Sequence, residues 1–218
     1  MTDRLSPILL SRDAWIRRPS HRAWLEMQGR RLLDFSKEGC IDGGFAGLDM
    51  EGHLPKGAKA EATLTARCVH AYATAELQGI PGSAPLVAHG VNALMTSFRD
   101  QQHGGWNHFA DQPHERKQAY LHAFVALAAS SAVLIGVEGA NALLKDAIHQ
   151  IETHFWSEDE GVMRESFADD WADEENYRGA NSNMHSTEAF MALAAVPGDV
   201  KWFRRALRIV TRFVHELA

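Results

Sequence analysis

The chain has 218 residues, 45% of them apolar, and a formal charge of −6, which suits one large domain spanning 1–218 with a sizeable core. The acidic balance and the lack of any Lys/Arg cluster argue against a nucleic-acid-binding face. Cys40 and Cys68 match no zinc or redox spacing and, with no signal peptide, read as free thiols in a reducing, cytoplasmic setting.

A 3.6-residue period dominates from Ser20 onward and predicts seven helices. "SHRAWLEMQGRRLLDFSKEG" has Ser20 as cap, a stop at Gly39, and Trp24, Leu25, Gln28, Leu32 and Phe35 on one stripe. "EATLTARCVHAYATAELQG" ends at Gly79, and "APLVAHGVNALMTSFRD" carries Pro85 near its first turn. "KQAYLHAFVALAASSAVLIG" ends at Gly136, and "ANALLKDAIHQIETHFW" follows. "MHSTEAFMALAAV" stops before Pro197, and "DVKWFRRALRIVTRFVHELA" starts at an Asp199 cap. Strand signals are short and confined to the connections. The stretch from Ala119 to Val137 has no Asp, Glu, Lys or Arg, yet its Ala, Ser and His content marks a buried helix and not a membrane span.

The connections repeat. Three are Gly-rich and contain an aromatic: "GGFAGLD" from Gly43, "GGWNHFAD" from Gly104 and "GVMRESFAD" from Gly161. Their spacing is near 60 residues, and the alternate connections are short turns such as "GIPGS". A fixed period signals a repeat architecture, each unit being a helical hairpin with one long loop. The first, fifth and seventh helices are amphipathic, the fourth and sixth are apolar nearly all round and the second is intermediate, an alternation that predicts an outer layer wrapped on an inner one. That pattern describes an all-α toroid with the long loops at one end. An α-solenoid is the alternative, although its repeats are shorter, at about 34–47 residues.

Each inner helix begins after a long loop and carries polar groups near its start. The second has Arg67 and His70, the fourth Tyr120 and His122, the sixth His185 and Glu188 with Asn181 and Asn183 just before. Convergence there would make a pocket with an apolar floor and polar walls, and Trp106 and Phe109 could add a flat wall. Each residue also has a structural reading. Asn183 suits an N-cap. Arg67, mid-helix among apolar neighbours, suits a buried ion pair with Glu188 or Asp100. Tyr120 suits a core aromatic, and His70 a packing histidine. His185 and Glu188 share a helical face but form at most half a metal site.

The stretches "LTARCVHAY", "GGW", "KQAYLHAFVAL", "HFWSEDEG" and "YRGANSNMHSTEAF", in this order from Trp24 onward, resemble the N-acylglucosamine 2-epimerase superfamily, above all its aldose–ketose isomerase branch. The resemblance implies an (α/α)6 barrel and sugar chemistry without a metal or redox cofactor. A base removes the proton at C2, an enediol forms, and proton return at C1 gives the ketose or at C2 the epimer. By position, Arg67, Tyr120, Asn181 and His185 match family residues that line the pocket and bind the sugar. His185 is the catalytic candidate, and Glu188 would orient it. Two departures stand out. Thr63 sits where family members often have an aromatic, which bears on substrate preference. The family chain is also about twice as long, with two principal catalytic histidines in its second half, so this chain reads as the N-terminal half of a barrel.

Three functions follow as expectations: a mannose/fructose-type isomerase, a 2-epimerase of an N-acylhexosamine or disaccharide, and a half-barrel that binds a sugar or partner without turnover. The open edge of a half-barrel also predicts self-association.

Overall fold

The computed structural model describes residues 14–112, 116–196 and 198–216. It forms two compact units, divided after Lys37. The first holds helix α1 (Pro19–Lys37), which starts one residue before the expected Ser20 cap. Pro19 explains the shift, because its fixed φ and missing N–H suit a first helical position.

The second unit holds three helical hairpins: α2 (Ala62–Leu77) with α3 (Ala84–Met95), α4 (Ala119–Leu134) with α5 (Ala140–Gln150), and α6 (Ala180–Ala195) with α7 (Val200–Val210). Single π-helical turns, Ile151–Phe155 and Thr211–Glu216, prolong α5 and α7. Among the described residues these are the seven α-helices expected; Pro197, the expected stop of α6, lies outside them. The helix α4 packs between α2 and α6, while α3, α5 and α7 each back their own partner. The even-numbered helices are therefore the inner layer, as the apolar character of α4 and α6 predicts.

Composition explains the centre. Every residue of α4 from Leu121 to Ala132 is buried. Alanine is the best helix former, and its small side chain lets both neighbours come close. Ser130 and Ser131 donate their hydroxyls back to Ala126 O and Leu127 O, at 2.8 and 3.0 Å, so they enter the core without orphaned polar atoms. The helices α2 and α3 approach so closely that a Cβ on Gly90 would lie 2.3 Å from Val69 Cγ2. Outer helix α7 is amphipathic and buries Trp202, Ala206 and Ile209. Its cap is the expected Asp199, whose side chain accepts from Lys201 N. Burial of each large apolar side chain contributes about 1.5–3 kcal/mol.

The three long loops gather at the N-terminal ends of α2, α4 and α6. Strands β1 (Cys40–Ile41) and β2 (Gly44–Phe45) form a hairpin, and Phe45 O accepts from Glu61 N at 2.9 Å. Ala62 N donates to His108 O in the second loop. Strand β3 (Lys117–Gln118) pairs antiparallel with β6 (Ser166–Phe167), and β4 (Trp156–Ser157) with β5 (Val162–Met163). Trp171 Nε1 of the third loop donates to His103 O of the second, at 2.8 Å. Each loop is thus hydrogen-bonded to a neighbouring loop or helix start.

Candidate functional site

The loop-side turns of the inner helices bring an aromatic and polar cluster together. Tyr120 and Phe124 lie one turn apart on α4, with ring centroids 5.0 Å apart. His185 of α6 packs against both, at 5.2 Å from Tyr120 and 4.7 Å from Phe124. From α2, the Arg67 guanidinium lies over the Phe124 ring, 5.2 Å from its centroid. Glu188 Oε2 sits 3.4 Å from His185 Nδ1, so the carboxylate can accept a hydrogen bond from that nitrogen and orient the ring. Three successive inner helices therefore contribute to one surface.

The expected residues are not all placed alike. Arg67, Tyr120 and His185 meet through Phe124. Asn181 stands one turn before His185 on α6 and lines a groove of about 420 Å³ with Met184, Thr187, Ile209 and Phe213. Arg67, expected to be buried, is exposed, and no ion pair ties it to Glu188 or Asp100 among the described residues. Asp100 is occupied elsewhere, by Lys117 at 2.6 Å. The aromatic face of Phe124 takes the place of the expected carboxylate. Phe124 itself was not singled out in the sequence, because one more Phe in an apolar run carries no signal of function.

Other loop-end residues turn out to be structural. Trp106 is fully buried, with Nε1 donating to Leu94 O at 2.7 Å, and so forms no open wall. His122 is buried beside it: Nδ1 lies 2.7 Å from Gln118 O, and Nε2 accepts from Trp106 N at 3.3 Å. Burial pushes this imidazole down to about 3, which keeps it neutral. Gly105 makes the close approach possible; it has φ +72°, and a Cβ there would lie 2.7 Å from His122 Nε2 and 2.8 Å from Trp171 Cζ2. Asn183 is no N-cap, because α6 begins earlier, at Ala180. Glu165 holds that start by accepting from Gly179 N and Ser182 Oγ, a favourable place for an anion. The fully buried Asn183 side chain instead clamps β5, accepting from Met163 N and donating to Met163 O and Gly179 O.

A buried ion pair stiffens the second loop. Lys117, fully buried, donates to Asp100 Oδ2 and to Asn107 Oδ1, at 2.6 and 2.7 Å. Asp100 Oδ1 also accepts from Gln102 N and His103 N. Among the described residues no group of three His, Cys, Asp or Glu side chains is arranged to hold a metal ion, and no helix is long and apolar enough to cross a membrane.

The cluster can present a guanidinium, a phenol and an imidazole around an aromatic face. That combination suits a small polar ligand with apolar C–H surfaces, held by a few placed donors.

Hairpins of inner and outer helices with their long loops at one end make this a protein of the (α/α)6-barrel class, with about half of the ring in the chain. Residues 43–218 match the N-acylglucosamine 2-epimerase (GlcNAc 2-epimerase) family, and the chain belongs to it. It is 56% identical over 208 residues to a D-mannose isomerase of Pseudomonas cannabina pv. alisalensis, covering 94% of this chain and 50% of that protein. To a D-mannose isomerase of Thermobifida fusca it is 46% identical over 209 residues, covering 94% and 51%. A crystal structure of a D-mannose isomerase superposes with a TM-score of 0.81 at 27% identity, covering 89% of this chain and 51% of that one. The chain thus spans about half the length of the curated relatives it matches.

Proposed function

We propose that this chain supplies the substrate-lining half of a cytoplasmic sugar isomerase that interconverts an aldose and a ketose of the mannose/fructose type. The observation that carries this reading is the Arg67–Phe124–Tyr120–His185 cluster, drawn from three inner helices of a chain 56% identical to a D-mannose isomerase. Arg67 and Tyr120 donate hydrogen bonds to sugar oxygens, where negative charge grows as C2 loses its proton. Asn181 binds a further hydroxyl from the groove side. His185, held by Glu188, moves a proton next to the carbonyl, the acid/base role that a positioned imidazole can fill. O1 takes up a proton to complete the enediol, and C1 then takes a proton while the C2 hydroxyl gives one up, which leaves the ketone at C2. A second acid/base group is supplied from outside this chain. Similarity to proteins named D-mannose isomerase supports ketose formation over 2-epimerisation in this reading.

On this reading the apolar groove between α6 and α7 is an edge of the half-barrel, through which the chain self-associates or meets the rest of the ring. Calorimetric titration with D-mannose tests the site. Binding with a Kd on the order of 1 mM, a common upper range for enzyme substrates, is expected. Arg67→Ala and His185→Ala should abolish it. No heat at saturating mannose, or equal binding by both variants, overturns the reading.

A further inference from the structure

Arg67 is not alone in leaning over α4. One turn further along α2, His70 Nδ1 stands 2.7 Å from Ser131 Oγ. The Ser131 hydroxyl already donates its proton to Leu127 O at 3.0 Å. Its oxygen is therefore an acceptor towards His70, and the imidazole carries its proton on Nδ1. The lone pair is left on Nε2, which no hydrogen bond engages among the described residues. Burial lowers the proton affinity of this half-buried ring, and the Glu188 carboxylate opposes that effect, so the imidazole is a neutral acceptor.

The placement follows the site already described. Tyr120, Phe124 and Ser131 recur at four and seven residues along α4 and so form one stripe. Arg67 and His185 flank that stripe at Phe124. His70 and Glu188 each lie three residues further along their own helices, and His70 meets the stripe at Ser131, seven residues or about two turns beyond Phe124. No charged side chain projects from α4 itself. On α3, His89 is engaged elsewhere, its Nε2 lying 2.9 Å from Ile41 O and 3.1 Å from Gly44 O.

Resting on the sugar-binding reading above, we propose that His70 Nε2 is a further substrate-contacting atom, accepting a hydrogen bond from a hydroxyl of the bound sugar, with Ser131 as the residue that fixes its tautomer. The chemistry calls for such a group. Arg67 can only donate, so it satisfies sugar lone pairs but not sugar O–H groups. A locked imidazole supplies an acceptor without reorganisation, and the hydrogen bond of one ring nitrogen sets the role of the other.

The test is a long-range ¹H–¹⁵N spectrum of the histidine-labelled chain, with and without D-mannose, the His70 signals being assigned by their loss in His70→Gln. The expected result is an Nδ1–H tautomer for free His70 and a mannose-dependent shift of Nε2. Ser131→Ala should release a mixture of tautomers and weaken mannose binding about 3- to 10-fold, the range of one net hydrogen bond. His70→Gln should weaken binding similarly at an unchanged unfolding midpoint. If His70→Gln does not fold, Ser131→Ala, which removes one hydroxyl, carries the binding test. An Nε2–H tautomer overturns the inference. So does mannose that shifts His185 but leaves His70 and the Ser131→Ala affinity unchanged, an outcome that keeps the sugar reading intact. Mannose that shifts no histidine overturns both.

Discussion

Tyr120 and His185 meet edge to face, with ring centroids 5.2 Å apart and planes at 87°. One comes from α4 and the other from α6, so the contact stitches two inner helices together at the end where the loops gather. Such a pair contributes about 0.5–1.5 kcal/mol beyond its buried area. It also holds a phenol and an imidazole side by side, each with a polar atom available to a ligand.

Tyr120→Phe should separate these two roles. The ring contacts survive, so stability should stay within about 0.5 kcal/mol of the parent. Affinity for D-mannose should fall about 3- to 10-fold if the hydroxyl binds sugar. Tyr120→Ala, which also removes the ring contacts with Phe124 and His185, should cost about 1–3 kcal/mol of stability, because the ring is only partly buried. Urea unfolding and calorimetry read the two effects, and an unaltered affinity in Tyr120→Phe removes Tyr120 from the site.

The Lys117–Asp100 pair should be strongly coupled. Removing either partner alone, by Lys117→Met or Asp100→Asn, leaves a buried charge and should cost about 3–5 kcal/mol. The double variant should cost clearly less than the sum of the singles, and strict additivity would disprove the coupling. Burial on its own would raise the Asp100 carboxyl, but the bonds from Lys117 and from the His103 and Gln102 N–H groups outweigh it and hold it below its usual 3.8. A depressed acid contributes stability that is complete above its unfolded-state value and is lost as pH falls through the folded one. Asp100→Asn should therefore show a smaller stability loss than the parent below about pH 4.

His122 makes a different acid prediction. Its folded-state value, pushed by burial from 6.5 to about 3, means that the unfolded chain binds the extra proton first. Stability then falls as pH drops through the window between those two values, by up to several kcal/mol. His122→Gln retains an acceptor for Trp106 N but does not titrate. Urea midpoints at pH 7, 5.5 and 4.5 should diverge least for this variant, and parallel pH curves for the two proteins would contradict the assignment.

The 218-residue chain alone should bind sugar without turning it over at an enzymatic rate. Loss of one general acid or base costs about 10²–10⁴-fold, and loss of part of the pocket wall adds a positioning cost. Incubation of the purified chain with D-mannose, followed by ketose detection, should show no product at the ~10 s⁻¹ typical of enzymes. Turnover near that rate would mean that His185 and its neighbours suffice.

Much of the fold is written locally. Glycines and prolines punctuate the helices, the apolar pattern separates α4 and α6 from their amphipathic partners, and the decorated loops recur near every 60 residues. These signals act within a few residues of one another, so they survive in the linear chain. Arg67, Tyr120 and His185 were also legible, as polar groups in the first turns of inner helices and through the family resemblance. What each side chain does there was not. Arg67 rests on Phe124, Trp106 and His122 turn inward under Trp171, and Asn181 opens onto α7, because each outcome depends on a neighbour brought in from another hairpin. Asn183 shows the limit best. Its residue type suits a cap, but Glu165, from the preceding loop, holds Gly179 N and Ser182 Oγ and starts the helix sooner, which draws the amide into the core against Met163. Periodicity determined that a helix stands there; packing between segments distant in sequence decided where it begins and which of its polar groups remain free for a ligand.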